Sequence, residues 1–154
     1  MLYFKAYDRK QKALHNLYRY DEALIVLNTA INLFPDSTSL ICNRGIEKME
    51  MGDLTGGVTD ISTAIESNKL TIDDLATAFR FRGILLFRKG QFDQAIFDLN
   101  NSINYNPKDQ YTYFNRAECY KAMGIKDKAC EDYRKSADLG FMSAYPTIKE
   151  YCFE

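Results

Sequence analysis

A small residue recurs along this chain at near-constant intervals, and that recurrence restricts the folds open to it. Ala23, Gly57, Ala95 and Ala129 are separated by 34, 38 and 34 residues. With residues 21–35, 55–69, 93–107 and 127–141 aligned on them, three further columns come into register. These read Leu27, Ile61, Leu99, Tyr133; then Ala30, Ala64, Ser102, Ser136; then Ile31, Ile65, Ile103, Ala137. Gly52, Gly90 and Gly124 stand five residues before the small column, and Tyr18 takes that place in the first unit. Further upstream, Asn43-Arg44-Gly45, Phe81-Arg82-Gly83 and Asn115-Arg116-Ala117 align. A period of this length belongs to repeats that bury their apolar faces only by stacking on one another.

Each unit reads as helix, turn, helix. The glycine column ends the first helix, because glycine reaches positive φ at little cost. The small residues on both helices let an antiparallel pair approach closely, with larger Leu, Ile, Phe and Tyr filling the space around them. Pro35 and Pro107 stop the second helices, and Asp36 or Ser37 and Lys108-Asp109 offer caps for the next ones. Helices are predicted near residues 3–17, 20–33, 37–51, 54–67, 72–89, 92–105, 109–123 and 126–139. The third unit carries four extra residues. Thr71 followed by Asp74 marks a helix start, so that unit's first helix is predicted to be longer by about a turn. Residues 143–152 read as a final helix covering the apolar end, with Pro146 in its first turn.

These columns resemble the tetratricopeptide repeat, a helix–turn–helix unit, over about residues 4–141. The resemblance implies an all-α fold: a solenoid of four repeats (about 4–37, 38–71, 72–109 and 110–141) plus a capping helix at about 143–152, as one array over 1–154. The first unit departs from the pattern with Lys10-Gln11 in place of Arg-Gly or Arg-Ala, and the second with Gly57 where Ala is usual. The resemblance further implies a curved superhelix whose first helices line a concave groove, and a protein–protein interaction scaffold that holds a peptide segment or partner helix there. The alternative is a structural or assembly subunit that self-associates or caps a larger complex through the ends of the array.

Helical phase assigns a candidate peptide-binding strip: Asn43, Ile46, Arg80, Phe81, Ile84, Phe87, Arg88, Tyr111, Phe114 and Asn115. Ile46 and the aromatic rings form an apolar stripe between Arg80 and Arg88, the pattern of a binding patch. Phe87 and Phe114 are the members most exposed to recruitment into the core. Lys5, Arg9, Lys12, Arg80, Arg88 and Lys121 outnumber Asp8, Glu50 and Glu118 along the groove, so the expected partner is a protein or peptide with apolar and acidic residues. Some relatives grip a chaperone's C-terminal carboxylate with a Lys, Asn, Asn, Lys, Arg clamp. Those positions fall here on Asp8, Lys12, Asn43, Thr77 and Phe81, where only Asn43 matches; shifted by one unit they fall on Cys42, Ile46, Phe81, Tyr111 and Asn115, where none does.

Charge patterning adds one regularity. Arg44, Arg82 and Arg116 each precede Asp60, Asp98 and Asp132 by sixteen residues, and the first unit lacks both. They are expected to pair, within a unit or between successive units.

Twenty Lys and Arg stand against twenty-one Asp and Glu, a formal charge of −1, without the basic excess of a nucleic-acid or anionic-membrane binder. No run reaches the ~18 apolar residues of a membrane span. Charges by the fifth residue disfavour a signal peptide. Cys42, Cys119, Cys130 and Cys152 have no zinc-like spacing and are expected to be reduced, buried thiols of a cytoplasmic protein. His15, the single histidine, is expected to be a plain surface or packing residue. With no paired carboxylates, metal cluster or phosphate loop, neither catalysis nor a cofactor is expected.

Overall fold

A computed structural model describes residues 2–153, with side chains from Phe4 onward. Among these residues there are helices and no strand. They are α1 (Leu2–Asn16), α2 (Tyr20–Leu33), α3 (Thr38–Glu50), α4 (Leu54–Glu66), α5 (Ile72–Arg88), α6 (Phe92–Tyr105), α7 (Gln110–Ala122), α8 (Lys126–Asp138) and α9 (Ala144–Thr147), which runs into a π-helical turn, Ile148–Cys152. The chain divides into two compact units, residues 1–74 and 75–154.

Within each unit the small columns do what their size requires. A Cβ on Gly45 would stand 2.7 Å from Ile61 Cγ1 and 2.9 Å from the Gly57 carbonyl oxygen. One on Gly83 would meet Leu99 Cγ at 2.9 Å and the Ala95 carbonyl oxygen at 3.2 Å. Helices α3 and α4, and likewise α5 and α6, therefore cross too closely for any side chain there. Leu27, Ala30 and Leu40 form one core cluster of the first unit with Phe4, Tyr7, Ile31 and Phe34 around them. Ala117, Ala129, Tyr133, Ala137, Ala144 and Ile148 form one core cluster of the second.

The turn column behaves as one. Gly52, Gly90 and Gly124 have φ of 85°, 75° and 73°, and Tyr18, in the same place, is forced to 58°. That conformation costs a bulky residue about 1–2 kcal/mol, while the Tyr18 ring is 80% exposed and buries little in return. Tyr18→Gly is accordingly expected to stabilise the first unit by about 1 kcal/mol, read as a higher urea midpoint.

The four extra residues of the third repeat are helical. Helix α5 starts at Ile72, where Thr71 Oγ1 accepts from the Asp74 amide at 3.1 Å and donates to its carboxylate at 2.8 Å.

The Arg and Asp columns pair within the unit, each guanidinium gripping its carboxylate with two nitrogens. The distances are 2.8 and 2.8 Å for Arg44–Asp60, 2.7 and 2.8 Å for Arg82–Asp98, and 2.7 and 2.7 Å for Arg116–Asp132. A third nitrogen reaches back sixteen residues to the preceding repeat. Arg44 Nη1 donates to Asn28 Oδ1 at 3.2 Å, and Arg116 Nη1 to Asn100 Oδ1 at 2.6 Å. The fork thus joins three helices, α2, α3 and α4 in one case and α6, α7 and α8 in the other. Serine in the Ala30/Ala64 column adds a second repeated bond, Ser102 Oγ to the Ala76 carbonyl and Ser136 Oγ to the Gln110 carbonyl, both 2.8 Å.

The cysteines require a correction. Cys130 and Cys152 form a disulfide, so two of the four expected thiols are oxidised. Folding the last helix back onto α8 brings together cysteines 22 residues apart, a proximity with no local sequence mark. Cys42 and Cys119 are free and buried. Burial pushes both thiols up to about 12, helped by the carboxylates of Asp74 and Glu118 respectively. Iodoacetamide should mark no cysteine of the folded, unreduced protein, two after unfolding without reductant, and all four after reduction, counted by mass spectrometry.

Candidate functional site: an aromatic strip with a pinned arginine

In the second unit, α5 and α7 carry most of the strip. Arg80 lies in the space between them. Its Cζ stands 4.5 Å from the centroid of the Phe81 ring and 5.7 Å from that of Tyr111. Its Nε is 2.9 Å from Asp109 Oδ2, off the axis of a hydrogen bond, so the contact is ionic rather than directional. Asp109 is itself fixed as the α7 N-cap, accepting from the Tyr111 amide at 3.1 Å and from Thr112 Oγ1 at 2.7 Å. Capping α7 therefore also places the carboxylate that holds Arg80.

Tyr111 is 47% exposed and meets Phe141 edge to face, with centroids 5.3 Å apart. Phe81 and Ile84 are half-buried and Arg88 is exposed. Phe87 tilts against Phe92 at 5.6 Å, while Phe114 packs on Tyr133 at 5.5 Å and Phe141 at 4.9 Å. Phe114 is joined to the core of this unit and Phe87 is backed by its own turn, so Phe81, Ile84 and Tyr111 form the accessible part. Asn115 Nδ2 donates to the Tyr111 carbonyl at 2.7 Å, closing a turn of its own helix.

In the first unit, Asn43 and Ile46 are half-buried on α3. The Asn43 amide donates to Gln11 Oε1 at 3.4 Å. Cations of the strip meet carboxylates of the protein itself: Arg80 meets Asp109, and Lys12 meets Asp8 at 2.8 Å. The local positive excess is therefore smaller than a count of residues suggests, because Asp109 stands outside the helical phase used for that count.

His15 is not a plain residue. Its Nδ1 lies 3.0 and 3.1 Å from the two carboxylate oxygens of Glu47, which is fully buried. Gln11 Nε2 donates to the same carboxylate at 2.6 Å. Gln11 and His15 are spaced i, i+4 on α1, as Asn43 and Glu47 are on α3. Two matched polar pairs on facing helices are a usable sequence signal for this network.

An open hollow of about 540 Å³ lies away from the strip, lined by Tyr113, Arg116, Glu131, Asp132, Arg134, Lys135 and Asp138. Two of its charges, Arg116 and Asp132, are paired with each other. Among the described residues no group of three or more His, Cys, Asp or Glu side chains could hold a metal ion, and no helix is long and apolar enough to cross a membrane.

Helix pairs with recurring small columns, positive-φ turns and a repeated Arg–Asp fork define an α-helical repeat protein of the solenoid class. The fold is that of tetratricopeptide-repeat solenoids. A family model described as Tetratricopeptide repeat matches residues 111–138. The Hsp70-Hsp90 organizing protein of Triticum aestivum is 35% identical over 65 residues, 42% of this chain. The match spans 11% of that relative's length. The crystal structure of a thermophilic tetratricopeptide-repeat protein of Thermus thermophilus is similar with a TM-score of 0.81 at 18% identity, covering 96% of this chain and 80% of that one. The first tetratricopeptide-repeat domain of Spaghetti, solved with an HSP90 peptide, is similar with a TM-score of 0.68 at 15% identity, covering 76% and 91%. Proteins of this family generally mediate protein–protein interaction and are typically scaffolds rather than enzymes.

Proposed function

We propose that the chain is a non-enzymatic scaffold that takes up a peptide segment or partner helix on the strip of its first helices. The Arg80 assembly carries this reading: a guanidinium laid on two rings and held by Asp109 makes a rigid, partly exposed apolar platform. Rigid aromatic area loses little entropy when it is covered, and arginine–aromatic clusters are the usual energetic centres of interfaces. By repeat alignment Asn43 and Ile46 of α3 correspond to Phe81 and Ile84. The partner carries apolar or aromatic anchors with an acidic side chain beside them, the acid addressed by the solvent-exposed Arg88.

Peptides selected from a random display library on the immobilised chain test this. Phe81→Ala or Tyr111→Ala should weaken a selected peptide by about tenfold or more, as loss of an anchor does. Arg88→Ala should cost only a few-fold and flatten the salt dependence. Undiminished binding to a well-folded Phe81→Ala/Tyr111→Ala variant would remove the strip from consideration. Exposed Met142, Tyr145 and Phe153, at 67%, 53% and 75%, favour end-to-end self-association as a second reading, to be judged by light scattering.

A further inference from the structure

We infer that the Cys130–Cys152 disulfide is a redox latch on the capping segment, holding residues 144–152 over the end of the second unit when oxidised and letting them leave when reduced. This stands independently of the strip. The segment is a four-residue helix followed by a single π-helical turn, and its N-cap, Ser143, makes no side-chain capping bond. So short a helix has no stability of its own. What docks it is a small apolar face: Ala144 and Ile148 are buried, and Tyr151 meets Tyr133 edge to face at 6.5 Å. Tyr145, Lys149 and Glu150 face solvent. The covalent tie at its last residue is therefore the strongest single element keeping it in place.

The tie is placed to be broken without disturbing the rest. Cys152 is partly exposed, whereas Cys130 is buried in α8. A thiolate of a dithiol reductant attacks the Cys152 sulfur, Cys130 leaves as thiolate and takes a proton, and the dithiol's second thiolate displaces Cys152. Two electrons and two protons have passed to the protein, and the reductant has closed to its own disulfide. Departure of the segment uncovers Tyr133 and Ala137 of α8 and the adjoining Phe114 and Phe141. That gives an apolar end face available to another chain only in the reduced state. A glutathione-poised compartment opens the latch and an oxidising one keeps it shut.

Limited trypsin digestion reads the latch directly, since Lys149 is an exposed cleavage site inside the segment. The full chain is digested with and without dithiothreitol, and cutting after Lys149 is followed by mass spectrometry after quenching. Opening a loop of this length should speed that cleavage by on the order of a hundredfold, with the α1–α8 amides keeping their hydrogen-exchange protection. Cys152→Ser should be cut at the fast rate whether or not reductant is present. Equal rates in the oxidised and reduced wild type would overturn the proposal. So would alkylation of Cys130 and Cys152 in unreduced protein, or a loss of protection that spreads through α5–α8 and marks the bond as a staple for the whole unit.

Discussion

Arg82→Ala is expected to destabilise the protein by about 3–5 kcal/mol, the cost of stranding a buried charge. Asp98 is 1% exposed, and both of its oxygens are satisfied by the two nitrogens of Arg82. Removing the arginine leaves a carboxylate that water cannot reach. Asp98→Ala should cost less, because the Arg82 side chain is 18% exposed and can turn its charge outward. The double variant should be more stable than Arg82→Ala alone, since the orphaned charge is gone. Urea denaturation of the four proteins gives the coupling energy, and simple additivity of the two losses would reject a pairing role. The exposed Arg19–Glu22 pair, at 2.6 Å, is the control: solvent screens it, and breaking it should leave the urea midpoint nearly unchanged. Asp60 adds an acid limb. Burial pushes its carboxyl up, but hydrogen bonds from Arg44 and Lys48 outweigh this and leave it below the usual range. A carboxyl lowered on folding contributes stability above its unfolded value and loses it as pH falls through the folded one. Acid unfolding below about pH 4 should therefore be shallower in Asp60→Asn, measured against its own neutral-pH stability.

The fork also shows which parts of the molecule are legible in sequence. The Arg and Asp columns are visible there, as is their common absence from the first unit. Their partnering stays open because i and i+16 can meet within a unit or across units. The structure uses the aspartates within the unit, and it uses Asn28 and Asn100, which no column highlights, toward the preceding repeat. The lengthened α5 and the forced Tyr18 turn follow from local chemistry, capping in one case and backbone sterics in the other. Local signals travel within about one helical turn, and sequence carries them well. What stays hidden depends on contacts between distant segments. Glu47 reads as an ordinary helical acid until α1 supplies Gln11 and His15. Cys152 reads as a reduced thiol until the last turn folds onto α8. In the strip, the aromatic residues follow from phase alone, whereas the pinning of Arg80 needs Asp109, a capping residue outside the face.

Ala95→Phe should cost about 1–3 kcal/mol, and Ala23→Phe distinctly less, although both alanines are fully buried. The difference lies in what faces them. Ala95 sits where α6 crosses α5, and its carbonyl is already within 3.2 Å of where a Gly83 side chain would begin. Leu99 fills the remaining space from the next turn, itself wholly buried. A phenyl ring there must push α5 and α6 apart along their length, and the Arg82–Asp98 fork that ties the same two helices resists separation. In the first unit the column that holds Gly83 holds Gln11, so α1 and α2 meet across a long side chain rather than a glycine. No Arg–Asp fork ties that pair, since Lys10 and Val26 occupy the two positions. Leu14, Val26 and Tyr7 surround Ala23 in one small cluster, and a local shift of α1 there makes room for the ring. Thermal melts should show the larger drop for Ala95→Phe. Equal losses would mean that the helix crossing at Gly83 has slack after all, and that the small columns repeat for a reason other than close approach.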